Sequence, residues 1–289
     1  MKNSENNYFK MYFGFFFDSL YLDYFLLTDG LLSFPNKIEF IFKKYFLIFK
    51  HFFVKFKFGN SKIKLFNQDY YYDSHFGLGS LQGIVTRHKF LLSFIKLNNK
   101  EIKTIIDIGA NIGNFSILSN LLYSKSKIYS FEPIKKTYSI LEKNLINRKN
   151  INLFNKAVGE NTGVQKMSFD ESSSGLSRFS DKGSEVNVVS LDDFIQENKI
   201  NSIDILKIDT ETFESSVLKG AKKSLSKTKY LCIEITLENN PNYTISSLFS
   251  LLKGEGYDFQ LVSYRNASGK SEGEIAWMDA LLVNKELLK

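Results

Sequence analysis

A chain of 289 residues that is 43% hydrophobic has room for one α/β domain of about 180 to 200 residues plus an additional segment, which excludes two full catalytic domains. Its formal charge of +7 sits in the first third: residues 1–100 hold 14 Lys/Arg against 7 Asp/Glu, and residues 101–289 hold 24 of each. That placement argues against an enzyme steered to nucleic acid by the charge around its active site, and a lone Cys232 excludes an intrachain disulfide.

In chain order, residues 1–60 form an aromatic-rich basic segment. Its apolar run from Met11 to Phe17 stops at Asp18 with no cleavage site behind it. No uncharged apolar stretch reaches the ~18 residues that span a bilayer. The expectation is a cytoplasmic protein, free or peripheral on the cytosolic face of a membrane. On a helix over residues 38–58, Lys43, Lys44, Lys50, His51 and Lys57 fall on one side and Phe and Ile cover the rest. Two readings stay open there: a helix lying in an anionic membrane interface, or one packed on the catalytic domain or on a second subunit. Residues 61–102 read as a connecting segment covering the catalytic domain, with a glycine-rich stretch at 77–83. Its His75 and His88 read as surface histidines, with folding over the pocket as the alternative. No C-x-x-C accompanies the three histidines, so no structural zinc site is expected.

From residue 103 to 289 strand and helix patterns alternate, the signature of an α/β fold with a mainly parallel sheet. Buried strands are expected at 103–109, 127–132, 151–158, 203–209, 229–236, 257–263 and 275–284. Helices are expected at 114–123, 135–148, 191–198, 212–226 and 243–255. Ser190-Leu-Asp-Asp193 resembles a capping box, and the Ser/Gly-rich residues 160–185 read as a hairpin or loop insertion.

The first of these strands ends in Asp107-Ile-Gly-Ala-Asn-Ile-Gly113 and runs straight into a helix. Gly109 and Gly113 allow a sharp bend and close approach to a ligand, and the helix presents unpaired N–H groups. The spacing lacks the third glycine of a dinucleotide fingerprint, so NAD fits poorly. Ser130-Phe-Glu-Pro133 sets Glu132 at the end of the second strand, 19 residues after Gly113, where a carboxylate can accept hydrogen bonds from both hydroxyls of a ribose. In 203–214, Asp204 and Lys207 interrupt an otherwise buried strand. Asp209 stands at the carboxyl end, where open α/β sheets place chemistry, and Glu214 falls in the first helical turn, where the dipole favours it.

These stretches, together with Asn155-Lys-Ala-Val158, Val189-Ser-Leu-Asp-Asp193, Val217-Leu-Lys-Gly-Ala221 and Ile233-Glu-Ile235, resemble in order the landmarks of the FkbM family of methyltransferases over residues 100–240. The resemblance implies a Rossmann-like class I methyltransferase fold with a seven-stranded, mostly parallel sheet and flanking helices. It also implies S-adenosylmethionine as donor and O-methylation of a saccharide, glycolipid or other small polyol. Carried over by position, Asp107, Gly109, Ala110, Asn111 and Gly113 line the methionine part and Glu132, beside Pro133, holds the ribose. Asn155, Ala157 and Val158 lie near the adenine, and Asp209 faces the sulfonium and the acceptor. One departure is Thr212-Phe213, where the family tends to have glycine after the glutamate; Thr212 could cap the following helix instead. The departure motivates the alternative of a non-catalytic nucleotide-binding or scaffold module on the same fold.

Methyl transfer from a sulfonium needs alignment of the acceptor and a route for its proton. With prolines only at 35, 133 and 241, the Pro-Pro loop of amino-methylating nucleic-acid enzymes is absent, and Cys232 lies in a predicted buried strand, unsuited to cytosine C5 chemistry. A small-molecule or glycan acceptor is expected, and no nucleic acid. The candidate base is one of Asp209, Glu211 and Glu234; no metal site is assigned, although the three together could hold a divalent cation.

Overall fold

The computed structural model describes residues 34–54, 61–65, 68–72, 92, 94–95, 101–169, 177–179, 183–236, 245–254, 257–268 and 275–288. The run from Met11 to Phe17, the stretch 77–83, His75 and His88 lie outside them. Two compact units divide the chain, Met1–Lys89 and Phe90–Lys289.

In the first unit, helix α1 (Phe34–Val54) carries Pro35 in its first turn, where the missing N–H leaves no bond unmade. It begins before the expected 38–58, and Lys57 lies outside the described residues. Strands β1 (Ser61–Leu65) and β2 (Gln68–Tyr72) pair antiparallel with Ser61 opposite Tyr72. Tyr70 and Tyr72, two apart on β2, share one face and stack at 6.4 Å between ring centroids.

The second unit is built on β3 (Thr104–Ile108), α2 (Asn114–Leu122), β4 (Lys127–Phe131), α3 (Lys135–Leu145) and β5 (Ile151–Phe154). After these come the short strands β6 (Ala157–Val158), β7 (Gly163–Phe169), β8 (Ser177–Phe179) and β9 (Ser184–Val189), and helix α4 (Leu191–Glu197). The chain then returns through β10 (Ile203–Ile208), α5 (Glu214–Lys219), α6 (Lys222–Leu225), β11 (Thr228–Thr236), α7 (Ile245–Gly254), β12 (Phe259–Ser268) and β13 (Ile275–Asn284). The central sheet has seven strands in the order β12-β13-β11-β10-β3-β4-β5. Every recorded pairing is parallel except those of β13, which runs antiparallel to both β11 and β12. This is the mostly parallel seven-stranded sheet expected from the sequence. The order reverses between β3 and β10, so the loops that follow these two strands open side by side at their carboxyl ends.

Alternation along the strands divides the sheet's faces. Ile106, Ile108, Leu206, Ile208, Leu231, Ile233 and Ile235 lie in one core cluster with Val217, Leu218, Leu225, Leu248 and Leu252 of the covering helices. Phe131 stacks on Phe154 at 4.9 Å, and Phe194 of α4 meets both edge-on at 4.8 and 5.0 Å. Asp107, Lys207 and Cys232 stand in register on the opposite face.

Three expectations are corrected. The single strand expected at 151–158 is two: β5 stays in the central sheet, and after Asn155 and Lys156 the chain crosses to β6, which pairs with β9. The insertion at 160–185 is more than a hairpin. Strands β6, β9, β7 and β8 form a separate four-stranded sheet in that order, with Ala157, Met167, Val186 and Val188 as its own small core. The helix expected at 212–226 is broken into α5 and α6 at Gly220, where an added Cβ would lie 2.1 Å from the carbonyl oxygen of Gly159.

Candidate active site

The bend after β3 is held by its own backbone. Gly109 N and Ala110 N both donate to the carbonyl of Phe131, at 3.0 and 2.8 Å, and Gly113 N donates to Ala110 O at 2.9 Å. Gly109 and Gly113 take positive φ of 75° and 100°, which glycine adopts without strain, and Asn111 follows them at 53°. An added Cβ at Gly109 would lie 1.8 Å from Asp209 O, so the bend after β3 touches the end of β10 backbone to backbone.

Glu132 is turned toward this bend. Its Oε2 accepts from Asn111 N at 3.0 Å and its Oε1 from Ile134 N at 2.9 Å, and the residue is buried. Each oxygen keeps acceptor capacity, since a carboxylate offers about four lone-pair sites. Burial pushes the Glu132 carboxyl up to about 7, against the pull of these two N–H groups and of the Lys207 charge. Asn155 Nδ2 donates to the carbonyls of Glu132 and Pro133 at 2.9 and 3.0 Å, which pins the loop after β5 beneath the acid. Ala157 and Val158 are buried; Val158 packs in the main core and Ala157 in the small sheet's core.

Beneath the bend lies a buried polar chain. Ser116 Oγ donates to Asp107 Oδ2 at 2.6 Å and shares a 2.7 Å hydrogen bond with Ser130 Oγ. Lys207 Nζ donates to Gly109 O at 2.8 Å and forms ion pairs with Asp107 Oδ1 at 3.2 Å and Asp209 Oδ2 at 3.3 Å. The Asp107 Oδ1 contact is electrostatic, outside hydrogen-bonding geometry. Asp204, the other charge within β10, has a structural role: it accepts from Lys103 N and Thr104 N and pairs with Lys229 Nζ at 2.7 Å.

On the other side of the reversal point, Asp209 follows Ile208 of β10 while Glu234 follows Ile233, its register partner on β11. Glu211 joins them from the loop, and one carboxylate oxygen from each lies within 4.8 Å of the others. This brings together all three sequence-derived candidates for the base. Crowded carboxylates favour a cationic neighbour, whether a sulfonium or a divalent ion held through oxygen. The loop between them is strained: Glu211 and Thr212 take φ of 52° and 88°, rare for any side chain and costly for a β-branched one. Phe213 occupies the N-cap position of α5 with no side-chain cap, so Thr212 does not cap the helix. The fully buried Glu214 reaches back instead, its Oε1 accepting from Thr210 N, Thr210 Oγ1 and Thr212 N at 3.0, 3.0 and 3.3 Å. Residues 107–259, more than half of the chain, match the family described as Methyltransferase FkbM domain.

The chain belongs to the FkbM methyltransferase family. S-adenosylmethionine is the cofactor of such enzymes. The bend suits it, with a buried acid facing the turn and acceptor capacity remaining on both oxygens. The FkbM chain is 24% identical over 189 residues to 31-O-demethyl-FK506 methyltransferase FkbM of Streptomyces tacrolimicus, covering 53% of this chain and 72% of that one. It is 25% identical over 140 residues to the hexuronic acid methyltransferase AglP of Haloferax volcanii, covering 47% and 57%. A 2-O-methyltransferase, NoeI of Sinorhizobium fredii, is 26% identical over 162 residues, covering 48% and 66%. The chain thus spans less than two thirds of the length of the latter two relatives. Among solved structures, the O-methyltransferase from Bacillus cereus in complex with SAH aligns with a TM-score of 0.45 at 14% identity, covering 69% of this chain and 81% of that one.

Two features of this FkbM site escaped the sequence reading. Lys207 was visible only as an interruption in a strand, yet its alternation with Ile208 and its register with Asp107 place it under the bend. Ser116 lies outside the motif strings and Ser130 only heads one of them, because a small hydroxyl buried between helix and sheet looks like any other serine.

Proposed function

We propose that this FkbM methyltransferase methylates a hydroxyl oxygen of a saccharide or other small polyol. The observation that carries the reading is the convergence of Asp209, Glu211 and Glu234 beside the glycine bend. The relatives support it, since two of their names specify an oxygen and one a hexuronic acid.

When bound, S-adenosylmethionine supplies a methyl group on a positively charged sulfur. In this reading Glu132 would accept from its ribose hydroxyls, and the bend from Asp107 to Gly113 would receive the methionine part. The acidic cluster favours that positive charge and takes the proton of the acceptor hydroxyl as its oxygen bonds to the methyl carbon and the carbon–sulfur bond breaks. The base is one of Asp209, Glu211 and Glu234, of which Asp209 also forms an ion pair with Lys207.

The test is turnover of S-adenosylmethionine to S-adenosylhomocysteine with a panel of glycan and polyol acceptors. Glu211→Gln and Glu234→Gln each lower kcat by about 10²- to 10⁴-fold for the base, with little change in cofactor affinity. Cofactor binding without turnover on any hydroxylated acceptor overturns the reading in favour of a non-catalytic module.

A further inference from the structure

Helix α1 exposes one apolar stripe, while Phe40 and some of its cations are buried. Phe34, Ile38, Phe42 and Phe46 are 68, 45, 72 and 47% exposed, four residues apart along one face. Lys37 and Lys44 are buried, and Lys44 Nζ lies over the Tyr45 ring. Of the cations that the sequence puts together on one side of this helix, Lys44 is buried and Lys43 half-buried.

The charge around this stripe is one-sided. Residues 34–65 contain eight lysines, no arginine and a single acid, Glu39, which pairs with Lys43. That segment alone accounts for the chain's whole formal charge of +7. No described helix is long and apolar enough to cross a membrane, so a stripe of this kind fits a bilayer surface and not its interior.

We propose that α1 lies in the interface of an anionic lipid bilayer, with Phe34, Ile38, Phe42 and Phe46 inserted between acyl chains and the surrounding lysines at the level of the lipid phosphates. Among the described residues of this segment the exposed lysines are Lys62 and Lys64 of the adjoining β1, while Lys37 and Lys44 stay buried. Lipid is favoured over nucleic acid because the exposed stripe is a continuous helical face that includes an aliphatic residue. Single-strand binders instead stack bases on separated aromatics, with arginine beside them. The inference stands apart from the choice of acceptor.

The experiment is flotation of the full chain with vesicles of neutral phosphatidylcholine, alone or with about one third phosphatidylglycerol. Wild type floats with the anionic vesicles and at least tenfold less with the neutral ones. Phe34→Asn/Phe42→Asn, at two exposed positions, lowers anionic-vesicle binding at least tenfold while S-adenosylmethionine affinity and thermal midpoint stay at the wild-type value. Equal flotation of variant and wild type overturns the proposal. So does binding of a single-stranded RNA in place of vesicles, or a dimer of the wild type that the substitutions dissolve while flotation is absent.

Discussion

Glu132 is the residue at which burial and chemistry oppose each other most directly. An exposed glutamate loses its proton near 4.5, but burial holds this one up to about 7. The ligand-free fold therefore binds the proton more tightly than the unfolded chain does, and its stability falls as pH rises from about 4.5 to about 7. On the proposed reading ribose hydroxyls donate to the ionised form, so cofactor affinity rises through the same upper range with release of a proton. In calorimetry across about pH 6 to pH 8, wild type shows this dependence and Glu132→Gln is flat. At the upper end the variant binds more weakly by about 1.5 to 3 kcal/mol, the worth of hydrogen bonds to a charged group. Thr212 offers a second residue-scale test. Its φ of 88° carries strain of about 1 to 3 kcal/mol, partly offset by the chain entropy glycine adds, so Thr212→Gly stabilises by up to about 1 kcal/mol in urea unfolding. Glu132 could be placed from sequence because it ends the second strand 19 residues after Gly113, and the two motifs together point to one site. The strain at Thr212 could not, since it follows from Glu214 folding back over the loop.

Element by element, the central strands could be read because burial on both faces makes them short apolar runs, and even β10, with Asp204 and Lys207 inside it, is buried throughout. The small sheet could not, although Val186 and Val188 alternate with Glu185 and Asn187. A serine- and glycine-rich composition hid that period of two. The break between α5 and α6 was hidden for another reason, since only the approach of Gly159 explains Gly220. The cap of α4 was half legible. Ser190 Oγ accepts from Asp193 N at 3.1 Å, but the return bond of a capping box is replaced by Thr162, whose hydroxyl accepts from Ser190 N at 2.9 Å and donates to Asp193. The β6–β9 insertion is thereby fastened to the start of α4. Ser190→Ala costs about 1 kcal/mol of stability, measured by urea denaturation.

Across the whole molecule, the two halves of the central sheet meet at β3 and β10, and Lys207 is the cation between them. Lys207→Met removes the cation beside the buried Asp107 and the half-buried Asp209, so it destabilises by about 3 to 5 kcal/mol, and urea midpoints of variant and wild type check this. S-adenosylmethionine at about a hundred times its dissociation constant adds about 2.7 kcal/mol to the wild type by mass action, read as a higher Tm. The abutment of Gly109 on the Asp209 carbonyl carries this joining to the chemistry. A shift of the bend therefore presses on the end of β10. On the proposed reading donor and acceptor tighten each other's hold by the same factor, and titration of each with and without the other checks it.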